Sequence, residues 1–325
     1  MPEFDGNCDF DVVKYFLKLL EDDDLSSGIA AIETLLMILE KKHRYNTYPT
    51  KYDARGGDGY AQHRSLYSCG GELFCRFITL SLDDRGSMEE CREIMLHRGQ
   101  IFLAKLQNSR NVIAQQAQKF ITDGCRVLVH SRSRVVLKAL LTAAKANKQF
   151  HVYITQGGPD KMGEQMMNEM ESAGIDCTLI LDAAIGYVME SVDFVMVGAE
   201  AVVESGGIVN RVGSFTMALC AREMKKPFYV LAESFKFTRL YPLNQRDLPD
   251  EYKANLNDVS KVHPSVDYTP PAYITLLFTD LGILTPSAVS DELIKLYIFV
   301  SNYSNHANGS RNYRFVERPD TVRNW

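Results

Sequence analysis

Two short stretches carry the residue types from which a small-molecule site could be built. In DFVMVGAEAVVESGGIVNRVGS, Asp193 to Ser214, the apolar run Phe194 to Val197 meets Gly198 and then a polar set: Glu200, Glu204, Ser205, Gly206-Gly207, Asn210 and Arg211. A carboxylate, an amide and a guanidinium after a buried strand are suited to a hydroxylated, phosphorylated ligand, and open α/β sheets place their crevices at strand ends. Spacing alone favours a plainer reading, in which the glycine pair is a flexible turn and Glu200 a solvated acid. The second stretch is His130-Ser131-Arg132-Ser133-Arg134. A helix starting there aims free N–H groups and its positive dipole end into the crevice, so the serines and arginines could cradle a phosphate. Equally, Ser131 or Ser133 could cap the helix while the arginines are solvated.

Together these residues could bind a small phosphorylated polyol. Aldose-ketose isomerisation needs more, a nucleophile or acid beside a base of tuned pKa. His130 is the one candidate base, although a buried histidine satisfied by backbone is the simpler role. The chain has no G-x-x-x-x-G-K-[ST], H-E-x-x-H or G-x-G-x-x-G, which leaves nucleotide-loop, metalloprotease and dinucleotide readings without support. No metal is expected, and no cofactor other than a sugar phosphate ligand.

The elements that must position these groups follow from periodicity. From Asp123 short apolar strands alternate with helices. Strands are expected at 127–129, 150–154, 177–180, 194–197, 228–231 and 273–278, and helices after 131, at 161–173, 183–190 and 217–225. Thr285-Pro286 opens a last helix, with proline at the first helical position where its missing N–H costs nothing. Such alternation implies a mostly parallel sheet with right-handed crossovers.

Residues 8–122 instead read as helices. Phe10, Val13, Leu17 and Leu20 recur at helical spacing, as do Ile29, Ile32, Leu36 and Leu39 behind a cap at Ser26 or Ser27, and Leu73 to Leu80. Ser87-Met88-Glu89-Glu90 matches a capping box for a helix to about Leu106, followed by a separate helix with Val112, Ile113, Ala117, Phe120 and Ile121. The segment 43–67 is aperiodic and reads as a loop. The fold expected is an N-terminal helical bundle (1–122), a Rossmann-like, mostly parallel sheet with flanking helices (123–298) and a disordered tail (299–325).

Composition sets the outer bounds. A net charge of -5 argues against general nucleic-acid binding. Seven scattered cysteines without C-x-x-C suggest reduced thiols in the cytosol, the acidic N-terminus is unlike a secretory signal, and no apolar run approaches membrane-spanning length.

The residues also carry a resemblance. VLVHSRSRVVL, LDAAIGYVME, VGAEAVVESGGIVNRVGS, KPFYVLAESFKFTRLYPLNQRDLPD and VDYTPPAYITLLFTDLGILTPSAVSDELIKLY resemble the alpha-subunit family of eukaryotic translation initiation factor 2B, and SCGGELFCRFITL and IMLHRGQIFL extend the likeness toward the N-terminus. That family is similar to sugar-phosphate isomerases that use a cysteine directly after the strand-end histidine and an aspartate in a G-A-D motif. Here those positions hold Ser131 and Glu200, and both departures point away from isomerase activity. The family's glycine-arginine segment for the sugar phosphate has no match in 43–67 beyond Arg55-Gly56-Gly57.

The resemblance implies a regulatory, non-catalytic subunit of the guanine-nucleotide exchange complex for initiation factor 2. It would be a homodimer paired through the α/β domain that bridges the beta, gamma, delta and epsilon subunits in the cytosol and senses the phosphorylated alpha subunit of initiation factor 2 in the integrated stress response. No membrane and no direct nucleic-acid partner is expected. The alternative is a sugar-phosphate isomerase or sensor.

Overall fold

The computed structural model describes residues 12–21, 27–40, 88–158, 160–248 and 264–295. The expected 43–67 loop, the helix near Leu73 to Leu80, the cap at Ser87 and the tail lie outside them.

Continuous β-branched runs bounded by glycine and polar residues become the strands β1 (Arg126–Val129), β2 (His151–Thr155), β3 (Asp176–Ile180), β4 (Phe194–Gly198), β5 (Ala201–Val203), β6 (Ile208–Arg211), β7 (Phe228–Leu231), β8 (Phe237–Thr238), β9 (Val266–Thr269), β10 (Leu276–Thr279) and β11 (Gly282–Leu284). The helices are α1 (Val12–Leu20), α2 (Ser27–Glu40), α3 (Met88–Ala117), α4 (Arg134–Lys145), α5 (Gly163–Ser172), the single turn α6 (Ile185–Val188), α7 (Ser214–Glu223) and α8 (289–295).

Seven strands make one sheet in the order β11-β10-β7-β4-β1-β2-β3, parallel except for the edge hairpin β10-β11. Strand alternation decides which side each residue feeds. Val127, Val129, Phe194 and Met196 face a core shared with α4, α5 and the end of α3, whereas Leu128, Val195 and Val197 face one shared with α6, α7 and α8. Helices therefore cover both faces, and β4 is buried along its whole length.

Four expectations need correcting. The stretch after β4 is not a loop: β5 and β6 form an antiparallel hairpin, flanked by β8 and β9 in a second, four-stranded sheet. Short strands such as AVV acquire that identity only from partners far along the chain. The two helices expected around Leu106 are one continuous α3, because Ser109 returns its hydroxyl to the Leu106 carbonyl (2.6 Å) inside the helix and leaves no break. The segment 273–278 divides into a 3-10 turn, Pro271–Tyr273, and β10. The segment 183–190 divides into a 3-10 turn, α6 and a second 3-10 turn.

α3 joins the two halves of the molecule. Its middle packs on Ile29, Ile32 and Leu36 of α2, and its last turns place Ile113, Ala114 and Ala117 under the main sheet. At the joint, Arg110 Nε lies 3.0 Å from Glu233 Oε1, and Lys236 Nζ lies 2.8 Å from Glu233 Oε2. Lys236 also donates to the Ala199 carbonyl at 2.8 Å, beside Glu200. Burial opposes ionisation of Glu233, but the Lys236 and Arg110 charges outweigh it and hold the carboxyl down at about 2.

Candidate functional site

β1 and β4 are neighbours whose outgoing chains pass to opposite faces of the sheet, so a crevice opens at their carboxyl ends, the switch point of a doubly wound fold. Both stretches singled out from the sequence end there.

His130 is the last buried group of the first stretch. Its Nε2 lies 2.8 Å from the Val212 carbonyl, which can only accept, so Nε2 carries the proton. Nδ1 then accepts from the Thr155 hydroxyl at 2.7 Å, and that hydroxyl in turn accepts the Ser131 amide at 3.1 Å. Burial pushes the imidazole below its ordinary value, which keeps this neutral arrangement. A Cβ on Gly213, at φ 105°, would stand 2.8 Å from His130 Cε1, so only glycine fits against the ring. With both nitrogens committed to the protein, His130 positions the β1 end and has no free lone pair for a base.

Ser131 is buried with φ at 51°, a conformation sparsely populated outside glycine. Its side chain lies against Gly157, where any Cβ would strike it. Gly157 and Gly158 are held in turn by Asp182, whose two oxygens accept their amides at 2.9 and 2.8 Å. Ser133 stands at the N-cap of α4 without a side-chain cap bond and packs against Gly198, so the simple capping role is not the one it plays. The first amides of α4 have no side-chain cap from it. Arg132 turns onto α5, where Nη2 meets Glu169 Oε1 at 2.9 Å, and is thereby drawn out of the crevice. Arg134 is the half-buried first residue of α4.

The second stretch contributes a charged cluster. Arg211 Nε lies 3.3 Å from Glu200 Oε1, while Nη1 is paired with Asp160. Burial pushes the Glu200 carboxyl up to about 7, and Lys236 pulls it back only in part. Glu200 is therefore not a fully solvated acid, and near neutrality it can offer a proton to a ligand hydroxyl. Asn210 is buried and spans to Ser214 Oγ at 2.9 Å, which makes it a brace for the start of α7. Gly206 and Gly207 are not a loose turn, because they pack against the Pro286 backbone and Tyr268.

Thus His130, Ser131, Ser133, Glu200, Asn210 and Arg211 gather around the crevice and Arg132 does not. Thr155, Asp160, Asp182, Lys236 and Asp267 were not found from sequence. Asp160 and Asp182 follow β2 and β3, and a systematic look at acids just past strand ends finds both. Among the described residues no group of three metal-ligating side chains is assembled.

Asp267 on β9 accepts the Gly213 and Phe215 amides on Oδ2 at 2.7 and 3.0 Å, and its buried Oδ1 has no partner. Burial pushes its carboxyl up to about 6, against the pull of those two amides. A raised folded-state value means stability is fully present below the unfolded value near 4 and is lost as pH rises through 6. The amide of Asp267→Asn keeps an acceptor and cannot ionise. Denaturant titrations at pH 5 and 7.5 should show wild type losing about 1.4 kcal/mol more than this variant across the interval. Equal losses would contradict the assignment.

Against known families, residues 68–286 match the initiation factor 2 subunit family. The chain is 40% identical to translation initiation factor eIF2B subunit alpha of Dictyostelium discoideum over 316 residues, covering 90% of this chain and 98% of that one. It is 37% identical to the Caenorhabditis elegans alpha subunit, covering 86% and 96%. A ribose 1,5-bisphosphate isomerase of Archaeoglobus fulgidus is 31% identical, covering 62% of this chain and 66% of the enzyme. Among solved structures, the fold superposes on a Pyrococcus horikoshii eIF-2B with a TM-score of 0.61 at 24% identity, covering 85% of this chain and 97% of that one. It superposes on a chain of the tetrameric eIF2B beta-delta complex of C. thermophilum with a TM-score of 0.66 at 19% identity, covering 88% and 94%. A doubly wound sheet whose switch point holds a fully bonded histidine, joined by α3 to a helical region, and a match to alpha subunits along nearly their entire length, place this chain in the initiation factor 2 subunit family.

Proposed function

We propose that this chain is the regulatory alpha-type subunit of an eIF2B-like guanine-nucleotide exchange complex, acting in the cytosol as a homodimer that bridges the other subunits. One observation carries the reading: the chain is 40% identical to the D. discoideum alpha subunit over 98% of that chain, whereas it is 31% identical to the A. fulgidus isomerase over 66% of the enzyme. The chain's own chemistry supports the non-catalytic part, since His130 has no free ring nitrogen and Ser131 stands where the isomerases carry a thiol. A hydroxyl without a base is a poor nucleophile. In this reading the division is a helical region to about residue 122 and an α/β dimerisation domain from 123. The helical region would present the surface that distinguishes the phosphorylated alpha subunit of initiation factor 2, which requires unequal affinity for its two states.

Tyr187 on α6 is 89% exposed and Leu181 before it 61%, and Leu219 is exposed on the neighbouring α7, an apolar surface suited to self-pairing. The native mass of the purified chain should be that of a dimer, rising on mixing with beta, gamma, delta and epsilon subunits. Tyr187→Glu with Leu219→Glu should halve it. A monomeric wild type that ignores those subunits would end the proposal, as would conversion of ribose phosphates that Glu200→Gln abolishes.

A second reading, a sugar-phosphate sensor in the same crevice, is favoured by the α4 amides that Ser133 leaves uncapped and by Glu200, whose carboxyl burial pushes up to about 7. Pentose or hexose phosphate at about 100 times its Kd should stabilise the fold by about 2.7 kcal/mol in a melting experiment.

A further inference from the structure

Charge is unevenly spread along this acidic chain. Residues 94–159 hold ten lysines and arginines and one acid, Asp123, although the whole carries -5. The segment folds into most of α3, the 3-10 turn Gln118–Phe120, β1, α4 and β2, and α3 and α4 pack together.

Between them runs an open groove of about 450 Å³, lined by none of the crevice residues described above. One wall is Lys138, Thr142 and Lys145 of α4, and the other is Asn111, Gln115 and Gln118. Lys138 and Lys145 are exposed and have no ion-pair partner among the described residues. They lie two turns apart on one face, about 10 Å along the axis. Asn111, Gln115 and Gln118 also share one helix face, and side-chain amides carry both a donor and an acceptor. Gln118 Nε2 donates to Gln115 Oε1 at 2.6 Å, which leaves the Gln115 NH₂ group and the Gln118 carbonyl for an incoming backbone.

We propose that this groove docks an acidic polypeptide segment in extended form. Two carboxylates three residues apart reach Lys138 and Lys145 together when the segment takes the extended polyproline II form, whose three residues per turn put them on one side about 9 Å apart, and the facing amides hydrogen-bond its main chain. Two mobile ammonium groups flanked by amides suit a peptide of spaced carboxylates, because the groove has no arginine fork and no aromatic side chain on which a base could stack. The inference rests on this groove alone and holds whether or not the chain assembles as proposed above.

The test uses the full chain and a fluorescein-labelled peptide of four Glu-Gly-Ser repeats, read by anisotropy. A control peptide has the same composition with its glutamates in one block. The spaced peptide should bind more tightly than the control and weaken with added salt. Lys138→Glu with Lys145→Glu should raise its Kd at least tenfold at unchanged melting temperature, and Gln115→Ala with Gln118→Ala should raise it severalfold without altering the salt dependence. The proposal fails if the lysine variant binds as wild type does, if neither peptide binds, or if the block peptide binds equally well. It also fails if a twelve-nucleotide oligouridylate binds more tightly than the peptide and is lost with the same two lysines.

Discussion

Glu233→Gln is expected to cost about 3 kcal/mol and to remove the acid sensitivity that this carboxylate gives the fold. The carboxylate is almost wholly buried, with side-chain exposure of 2%, between Arg110 of α3 and Lys236, each 16% exposed. Removing one partner of a buried ion group leaves the other charges short of compensation, at a cost of about 3 to 5 kcal/mol. Linkage gives a similar figure. With the folded-state carboxyl held at about 2 and its ordinary value at 4.5, the contribution is present above 4.5 and disappears as pH falls toward 2. That difference corresponds to about 3 kcal/mol. Denaturant titrations of wild type and variant at pH 7 and pH 3 measure it, and the gap between the two proteins should narrow at the lower pH. An undiminished gap would show that the charge of Glu233 is not what joins α3 to the sheet.

The joint also bears on function. Lys236 holds the Ala199 carbonyl next to Glu200, so loosening Glu233 should reach the crevice as well as the helical region. If sugar phosphates bind there, Glu233→Gln should weaken them although it touches none of the crevice side chains.

Gly206→Ala is the second large effect, a loss of about 3 kcal/mol. Gly206 has φ 85° and closes the β5-β6 hairpin by donating to the Val203 carbonyl at 2.8 Å. A left-handed backbone costs an alanine about 1 kcal/mol, and its Cβ would run into the Pro286 carbonyl. Overlap with backbone is relieved only by moving chain, at about 1 to 3 kcal/mol more. The chain that must move leads into α8, whose Val289 and Leu293 are buried against α6 and α7. Gly124→Ala separates the two contributions, since Gly124 has φ 77° with nothing within 4 Å of its would-be Cβ. It should cost about 1 kcal/mol. The melting temperature should fall by roughly 5 to 10 °C for Gly206→Ala and by a third of that for Gly124→Ala. Similar losses for both would mean that the Pro286 contact is soft.

Much of the architecture was legible before any coordinates. Phe194 to Val197, read as a central strand, is buried at every position, and the expected strands at 127–129, 177–180 and 228–231 all lie in the main sheet. The same reading failed where identity depends on distant partners. Ala201 to Val203 and Ile208 to Arg211 look like loop because their polar neighbours mask them, and β8 and β9 are needed to make them a sheet. The helices read to about Leu106 and from Val112 on are one, because Ser109 bonds within the helix and α3 runs through.

What the amino-acid order determined by itself is the alternation of strand and helix, the crevice at the ends of β1 and β4, and the residue types that meet there. These are local properties, set by side-chain period and by glycine and proline at turns. The tertiary structure alone decided what each polar group can do. It bonded both nitrogens of His130, placed Arg211 between Glu200 and Asp160, turned Arg132 away to Glu169, and buried Glu233 between two cations. Charge state and hydrogen-bond partners follow from burial and from neighbours many residues distant, and no spacing along the chain encodes those.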